Sequence, residues 1–191
     1  MAISNKERVG RVLDALAKGL GSYALREYYA IYQNTFLQEI DATLTTRSFE
    51  LPREALQNTD TLIKYIDAHS ALNLMWRRWN DVFQDKLGHS GRSYISELMT
   101  ARNDWAHQGK FTNDEAYRVA DTAARLLKMI SAAEEAAQVE KISQELLHLR
   151  FEQDAEKSKK EAIKATAITT TSAGLLPWRK IIQPHPDVAS G

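Results

Sequence analysis

The sequence contains no cysteine and little glycine or proline, and each shortage excludes a type of structure or chemistry. Among 191 residues there are no Cys, 8 Gly and 4 Pro. Without cysteine the chain has no disulfides, no thiol catalysis and no thiolate metal ligands. So few helix-breaking residues, together with abundant Ala, Leu, Glu, Lys and Arg, favour helices. The composition therefore predicts an all-α fold.

Charge of one sign and long apolar runs are also missing. The 25 basic residues balance 25 acidic residues, so the molecule as a whole exerts no general attraction on nucleic acid or acidic membranes. No segment approaches the roughly 18 consecutive apolar residues of a membrane span, and the charged N-terminus does not fit a signal peptide. These absences predict a cytoplasmic protein with no membrane partner.

Metal and cofactor sites lack their usual residues. The five histidines are dispersed, and no two of them have the i,i+4 spacing of ligands on one helix. No glycine-rich loop follows a strand to bind a phosphate, and no serine lies in a nucleophile-elbow motif. The sequence thus predicts no metal and no cofactor.

Apolar residues at helical spacing predict a bundle of about five to six helices that ends in an irregular C-terminal tail. Ser4 is expected to cap the first helix, Gly19 and Gly21 to end it, and Ser22 to cap the second. The tyrosines of that second helix are typical of a core, with a base-stacking surface as the alternative. Pro52 is placed at the start of a short helix.

The middle of the chain predicts a long helix from Asp67 as N-cap to Gly88, in which Trp76 and Trp79 face inward. Three basic residues lie between its apolar positions: Arg77, Arg78 and Lys86. They indicate either a solvated face or part of a nucleic-acid surface. A further helix is predicted to begin near Ser93.

The last helices carry two different apolar patterns. Thr112 or Asn113 caps a helix with an alanine-rich stripe, which implies a close approach to a neighbouring helix. The helix after it has apolar residues alternately three and four apart, at Val139, Ile142, Leu146 and Leu149. Such a seam is long enough to pack on the bundle or to pair with another copy of the chain.

Three regions are predicted along the chain. Residues 1–151 form a helical domain, residues 152–165 a charged helix end, and residues 166–191 a linker or docking tail that leads to a missing C-terminal region. The last boundary rests on a run of small and β-branched residues followed by prolines at positions 177, 184 and 186, which preclude a regular helix.

The most informative stretch is Arg102-Asn103-Asp104-Trp105-Ala106-His107, at the end of an internal helix. Arg102 continues the apolar stripe that leads into it, so its guanidinium faces the interior or a partner, where it needs a paired acceptor. Histidine is the residue type that titrates nearest neutral pH. Side chains five residues apart on a helix diverge by about 140°. Arg102 and His107 therefore meet only if the helix ends near His107 or a second subunit closes the gap.

An arginine and a histidine suit metal-free cleavage of RNA. A histidine accepts the proton of a ribose 2′-hydroxyl or protonates the leaving 5′-oxygen. A guanidinium binds the phosphate with two donors and stabilises the charge that grows in the transition state. The alternative is structural, with an arginine that extends past the core and a histidine at a helix end.

The string Arg102-Asn103-x-x-x-His107 in an all-helical bundle resembles the motif of the HEPN family (higher eukaryote and prokaryote nucleotide-binding domain), which is Arg, four to six residues, then His. Residues 4–151, including Met75-Trp-Arg-Arg-Trp-Asn-Asp-Val-Phe83, are similar to the Swt-type HEPN domain. The resemblance implies a homodimer that, in many members, cleaves RNA, here with Arg102, His107 and Asn103. The tail that begins at Gly174 is similar to the junction before the ATPase region of large bacterial phage-defence proteins.

Two hypotheses about function follow. In the first, the chain is a metal-independent endoribonuclease domain of a prokaryotic defence protein, with a dimeric Arg-x4-His site. Its candidate RNA contacts are Arg77, Arg78, Arg92 and Lys110. In the second, it is a non-catalytic HEPN module that dimerises and regulates or oligomerises an attached ATPase. The intact motif favours the first hypothesis, and the neutral net charge favours the second, because RNA binding usually leaves a basic surface.

Deletion of residues 166–191 should leave the melting temperature nearly unchanged, because the prolines and small residues of this tail predict no part in the helical core. Thermal unfolding of the full and shortened chains, followed by circular dichroism, measures this. A large drop in the melting temperature would show instead that Trp178 docks into the bundle.

Overall fold

The computed structural model of the chain describes residues 3–46 and 50–172, with side chains through residue 164. Over these residues the structure is all helical and contains no strand, which confirms the predicted fold class. The helices are α1 (Asn5–Tyr32), α2 (Phe36–Leu44), α3 (Thr59–Leu62), α4 (Ala68–Arg77), α5 (Gln84–Ala106), α6 (Asn113–Met129) and α7 (Ala133–Ser172). Among the helices described, none has the length and apolar character needed to cross a membrane.

Helix α1 packs against both α4 and α6. Its N-terminus is capped as predicted, because the Ser4 hydroxyl accepts a hydrogen bond of 3.2 Å from the Glu7 backbone N–H. The predicted end at Gly19 and Gly21 is wrong, since the helix continues to Tyr32 and Ser22 caps nothing. Both glycines are buried inside the helix, where they face neighbouring elements at short range. Packing with distant parts of the chain therefore outweighs the weak helix propensity of glycine.

The predicted long helix after residue 67 is divided into parts. Asp67 does cap it, with its Oδ1 accepting a 2.8 Å hydrogen bond from the Ser70 N–H. However, α4 ends at Arg77, and a π-helical turn over Trp79–Phe83 leads into α5. Gly88 leaves the helical conformation, as predicted for a helix end: its φ is 55° and its ψ −170°, and two helical segments of α5 meet there at a kink. The π-helical turn interrupts the α-helical hydrogen-bond pattern, so the predicted helix is divided between Arg77 and Gln84.

The two tryptophans of this region have different environments. Trp79 is buried as predicted, at 3% exposure, but Trp76 is 36% exposed. The Arg92 guanidinium lies over the Trp76 ring, 5.0 Å from its centroid. Residues 52–57, where a short helix was predicted at Pro52, form hydrogen-bonded turns instead.

Lys86 is exposed but has a structural partner on α1. Its ammonium and the Arg26 guanidinium both donate to the carboxylate of Glu27, which is 7% exposed on α1. Burial raises the pKa of Glu27, but the hydrogen bonds from Lys86 and Arg26 outweigh it and hold the pKa below its usual range. This ion pair links the beginning of α5 to α1.

Helix α6 begins with a capping box, in which Thr112 and Glu115 exchange hydrogen bonds, so Thr112 is the cap. The predicted apolar stripe of α6 is buried along its whole length: Ala116, Ala120, Ala123, Leu127 and Ile130. In α7, Val139 and Leu146 are buried, as the seam predicted.

The chain divides into two compact units, Met1–Leu149 and Arg150–Gly191. In the second unit every side chain from residue 151 to residue 164 is exposed. The backbone of α7 remains helical to Ser172, beyond residue 165 where the helix was predicted to end. The rest of the predicted tail lies outside the described residues.

Two glycines of α1 provide a matched test of its packing. A Cβ added at Gly19 would lie 2.5 Å from Leu127 Cδ2 and 3.2 Å from Ala132 Cβ, whereas one at Gly21 would make an ordinary contact of 3.5 Å with Ile66. We expect Gly21→Ala to raise the free energy of unfolding by up to about 1 kcal/mol through helix propensity. Gly19→Ala should be less stable than Gly21→Ala by about 1–3 kcal/mol, the usual cost of overpacking. Urea denaturation measures both, and equal stabilities would contradict the close approach of α1 to α6.

Candidate functional site

The string that contains Arg102 and His107 forms the last turns of α5. The helix ends in a Schellman motif, in which the Gly109 N–H donates to the Asp104 carbonyl at 2.8 Å and the Gln108 N–H to the Trp105 carbonyl at 3.3 Å. Gln108 has the left-handed conformation that this motif requires, with φ 64°. His107 is the C-cap residue, and its side chain is exposed. The helix therefore ends beside His107, which is one of the two conditions under which Arg102 and His107 were expected to meet.

Trp105 fixes this turn to the beginning of α1. Its indole Nε1–H donates a 3.1 Å hydrogen bond to the Lys6 carbonyl. The ring also lies against Gly10, where an added Cβ would be 3.3 Å from Nε1. The contact spans nearly a hundred residues of sequence and sets the rotation of α5 about its axis.

Arg102 meets a carboxylate at the rim of a cleft and is not enclosed in the core. Its Nη2 lies 3.7 Å from Asp67 Oδ2, and its side chain is 25% exposed. The cleft has a volume of about 710 Å³ and is called here the Arg102 cleft. It is lined by Thr43, Leu44, Thr46, Lys64, Tyr65, Asp67, His69, Ser70, Asn73, Arg77 and Arg102.

Helix α4 contributes a polar stripe to the Arg102 cleft. His69, Asn73 and Arg77 follow one another at i,i+4 spacing, so they share one face of the helix. The Asn73 amide nitrogen lies 2.9 Å from His69 Nε2, and Arg77 Nη1 donates to the Thr43 carbonyl at 2.7 Å. Burial and the nearby Arg102 charge lower the pKa of His69 from its usual value. This shift favours the neutral form of the His69 imidazole.

His107 lines a different cleft, between α5 and the beginning of α6. This His107 cleft has a volume of about 790 Å³ and is lined by Ser93, Ser96, Glu97, Thr100, Ala101, Asp104, His107, Gly109, Lys110, Phe111, Glu115, Arg118 and Val119. Arg118 is committed to an ion pair with Glu97. Hydrogen bonds from the backbone and hydroxyl of Thr112 hold the pKa of Glu115 below its usual range, so this carboxylate stays charged.

The two clefts differ in charge and share no lining residue. The Arg102 cleft has three cationic side chains, Lys64, Arg77 and Arg102, against the single carboxylate of Asp67. The His107 cleft has two cationic side chains against three carboxylates. Within one chain, the arginine and the histidine of the motif therefore open onto separate surfaces of opposite net charge.

The other predicted site residues are dispersed between these surfaces and the bundle. Arg77 lines the Arg102 cleft, and Lys110 lines the His107 cleft. Asn103, which follows Arg102 in the sequence, is exposed on α5 and lines neither cleft. Arg78 is engaged with Glu39 at 2.7 Å. Arg92 lies over Trp76, away from the lining of either cleft.

The sequence analysis missed His69 and Asn73 as companions of Arg102. Their spacing to Arg77 was visible as a polar stripe, but no local pattern shows that this stripe faces another helix. Across the residues described, no group of three or more His, Asp or Glu side chains is arranged to hold a metal ion.

The fold and the Arg–His string together define a class of protein, the all-helical domains with an Arg-x4-His motif at the end of an internal helix. A family model described as Swt1-like HEPN matches residues 11–131, and the chain belongs to this HEPN family. No curated protein and no solved structure shows significant similarity to the chain.

The Schellman motif beside His107 can be tested with two neighbouring substitutions. A Cβ added at Gly109 would lie 2.8 Å from the Asp104 carbonyl oxygen, so Gly109→Ala should distort the turn and lower the free energy of unfolding by about 1–3 kcal/mol. Gln108→Gly removes a left-handed non-glycine residue and should leave stability equal or up to about 1 kcal/mol higher. Chemical denaturation gives both values, and an unchanged Gly109→Ala protein would contradict the geometry of this turn.

Proposed function

We propose that this HEPN domain is a metal-independent endoribonuclease whose active site is completed by two copies of the chain. The observation that carries the proposal is the intact Arg102-Asn103-x-x-x-His107 string at an exposed helix end in a member of the HEPN family. RNA is the substrate, and the reaction needs no metal. The defence function and an attached ATPase region remain part of the proposal, supported by the likeness of the tail described above.

The chemistry is assigned to three side chains of the string. His107 accepts the proton of the ribose 2′-hydroxyl, whose oxygen attacks the adjacent phosphorus, or protonates the leaving 5′-oxygen. The products are a 2′,3′-cyclic phosphate and a free 5′-hydroxyl. Arg102 binds the phosphate with two donors and stabilises the charge that develops on it. Asn103, exposed beside Arg102, supplies a further hydrogen bond to the substrate.

A second subunit is proposed because one chain keeps the two motif residues apart. Arg102 opens onto a cleft with α4, and His107 onto a cleft with α6. If two chains pack through residues 93–107 of α5, Arg102 of one chain can lie opposite His107 of the other.

Light scattering at high concentration should then give the mass of a homodimer, and a monomer would count against the shared site.

Substitution of either motif residue should abolish RNA cleavage. His107→Ala removes an exposed side chain and should keep the fold while lowering the rate by about 10²–10⁴-fold, the contribution of a general acid or base. Arg102→Lys should also be almost inactive, since the lysine ammonium lacks the planar fork of donors that a guanidinium has. Cleavage should persist in EDTA, leave cyclic phosphate ends and spare DNA. Activity that survives both substitutions would show a contaminating nuclease.

Mixed dimers distinguish a shared site from two separate ones. When His107→Ala and Arg102→Ala chains are combined and exchange subunits, half of the dimers contain one of each chain. If each site takes Arg102 from one chain and His107 from the other, these mixed dimers hold one intact site, and roughly a quarter of wild-type activity returns. If both residues act from the same chain, no activity returns. Each single-variant protein alone is the control.

The non-catalytic module is the second candidate function, and specific contacts favour it. Arg78 and Lys86, which could have met RNA, are engaged in ion pairs with Glu39 and Glu27 of the same chain. The domain would then act by dimerising an attached ATPase region. Wild-type protein that cuts no RNA, alone or with that region present, but still forms dimers would support this candidate over the nuclease.

A further inference from the structure

We propose that the Arg102 cleft is a binding site for a nucleotide phosphate of single-stranded RNA, held by Arg77 and Arg102 and hydrogen-bonded by His69. The inference rests on the proposed function for the nature of the ligand, and it adds residues from α4 that the Arg–His motif does not contain. It also assigns the phosphate to the Arg102 cleft rather than to the His107 cleft.

Charge is the first argument for this assignment. The lining of the Arg102 cleft places Lys64, Arg77 and Arg102 around one carboxylate, that of Asp67. These cations come from three different elements, so the fold, and not a run of basic sequence, brings them together. The His107 cleft has an excess of carboxylates and would repel a phosphate.

The availability of Arg102 is the second argument. Its contact with Asp67 is long, at 3.7 Å, and the Asp67 side chain is 60% exposed, so the ion pair is weak and solvated. Asp67 already uses its Oδ1 to cap α4. A phosphate with two acceptor oxygens therefore offers the Arg102 guanidinium a better partner than the one it has.

The polar and aromatic groups of the cleft favour a nucleotide over a bare anion. Tyr65 is 40% exposed and lines the same cleft, which places an aromatic ring for stacking beside the cations. His69 lies next to the Asn73 amide, at 2.9 Å. Because that contact uses Nε2, Nδ1 is the ring nitrogen left to bond a phosphate oxygen or a ribose hydroxyl.

Binding of a phosphate should be coupled to protonation of His69. In the free protein, burial and the Arg102 charge lower the pKa of His69. The charged or titratable groups that face it are Lys64 and Tyr65 from the turn before α4, Asp67 and Arg77 at the two ends of α4, and Arg102 from α5. A bound phosphate adds negative charge, so the pKa of His69 should rise on binding, and affinity should fall as the pH rises through that value.

The test measures binding without cleavage. The probe is a fluorescent six-nucleotide RNA with 2′-O-methyl groups, which has no free 2′-hydroxyl to attack its own backbone, and the readout is anisotropy at low salt. Arg102→Gln and Arg77→Gln should each weaken binding about tenfold or more, the loss expected for a charge-assisted hydrogen bond. Arg125→Gln, an exposed arginine on α6 that lines neither cleft, removes the same charge and should leave binding unchanged.

A variant that is expected to bind RNA more tightly shows that changes in binding arise at the site and not from misfolding. Asp67→Asn removes the carboxylate that competes for Arg102, yet its amide oxygen can still cap α4. Binding should become about two- to fivefold tighter, the range that release of an exposed ion pair allows. If Asp67→Asn binds no tighter than wild type, or if Arg102→Gln and Arg77→Gln bind as well as Arg125→Gln, the proposal is wrong.

Further measurements identify the ligand and separate this inference from the proposed nuclease. Tyr65→Ala should weaken RNA binding but not competition by inorganic phosphate, and equal competition by RNA, a mononucleotide and inorganic phosphate would overturn the nucleotide assignment. In NMR spectra the ring signals of His69 should move on binding, while those of His89, which lines neither cleft, stay in place. Wild-type protein that binds the probe but cuts no ordinary RNA would refute the nuclease and leave this site standing.

Discussion

The direction in which side chains leave a helix governs the layout of this site. Over the last turns of α5, Arg102 faces Asp67 at the beginning of α4, Trp105 packs on α1, and His107 lines the cleft with α6. Each of these contacts involves a different neighbouring helix. Rotation of α5 about its axis would break the hydrogen bond from Trp105 to the Lys6 carbonyl. It would not bring Arg102 and His107 together, because the angle of about 140° between them is set by their spacing on the helix. Any site that uses both residues has to be assembled around this arrangement.

Features that depend on neighbouring residues were predictable from the sequence. Ser4, Asp67 and Thr112 cap their helices as their side-chain chemistry indicates, and the alanine-rich stripe of α6 is buried. The predictions failed where contacts between residues distant in the sequence determine the structure. Gly19 does not end α1, because its missing side chain lets α6 approach, and a glycine signal alone does not distinguish a helix end from a close contact.

The candidate site was only partly predictable for the same reason. The need of Arg102 for an acceptor followed from its position on an apolar stripe, but its partner, Asp67, is on another element and was predicted only as a cap. The spacing of His69, Asn73 and Arg77 shows that they share a helical face. It does not show which face of α5 lies opposite. The division of Arg102 and His107 between two clefts agrees with their angular separation, but the opposite charges of those clefts arise from tertiary contacts.

Net charge is a poor guide to whether a protein binds RNA, because salt screens charges beyond about 8–10 Å. A phosphate interacts mainly with the charged side chains close to it. Several cations of the bundle are already in ion pairs: Arg78, Lys86, Arg118, Arg125 and Lys128. The cations of the Arg102 cleft share one exposed carboxylate. A single domain with so small a basic surface would contact few phosphates and bind RNA weakly. Two such clefts in a dimer would engage one strand together, and the second contact would benefit from the high effective concentration that the first creates. Dimerisation would therefore serve affinity as well as catalysis, which gives the nuclease and the interaction module the same structural requirement.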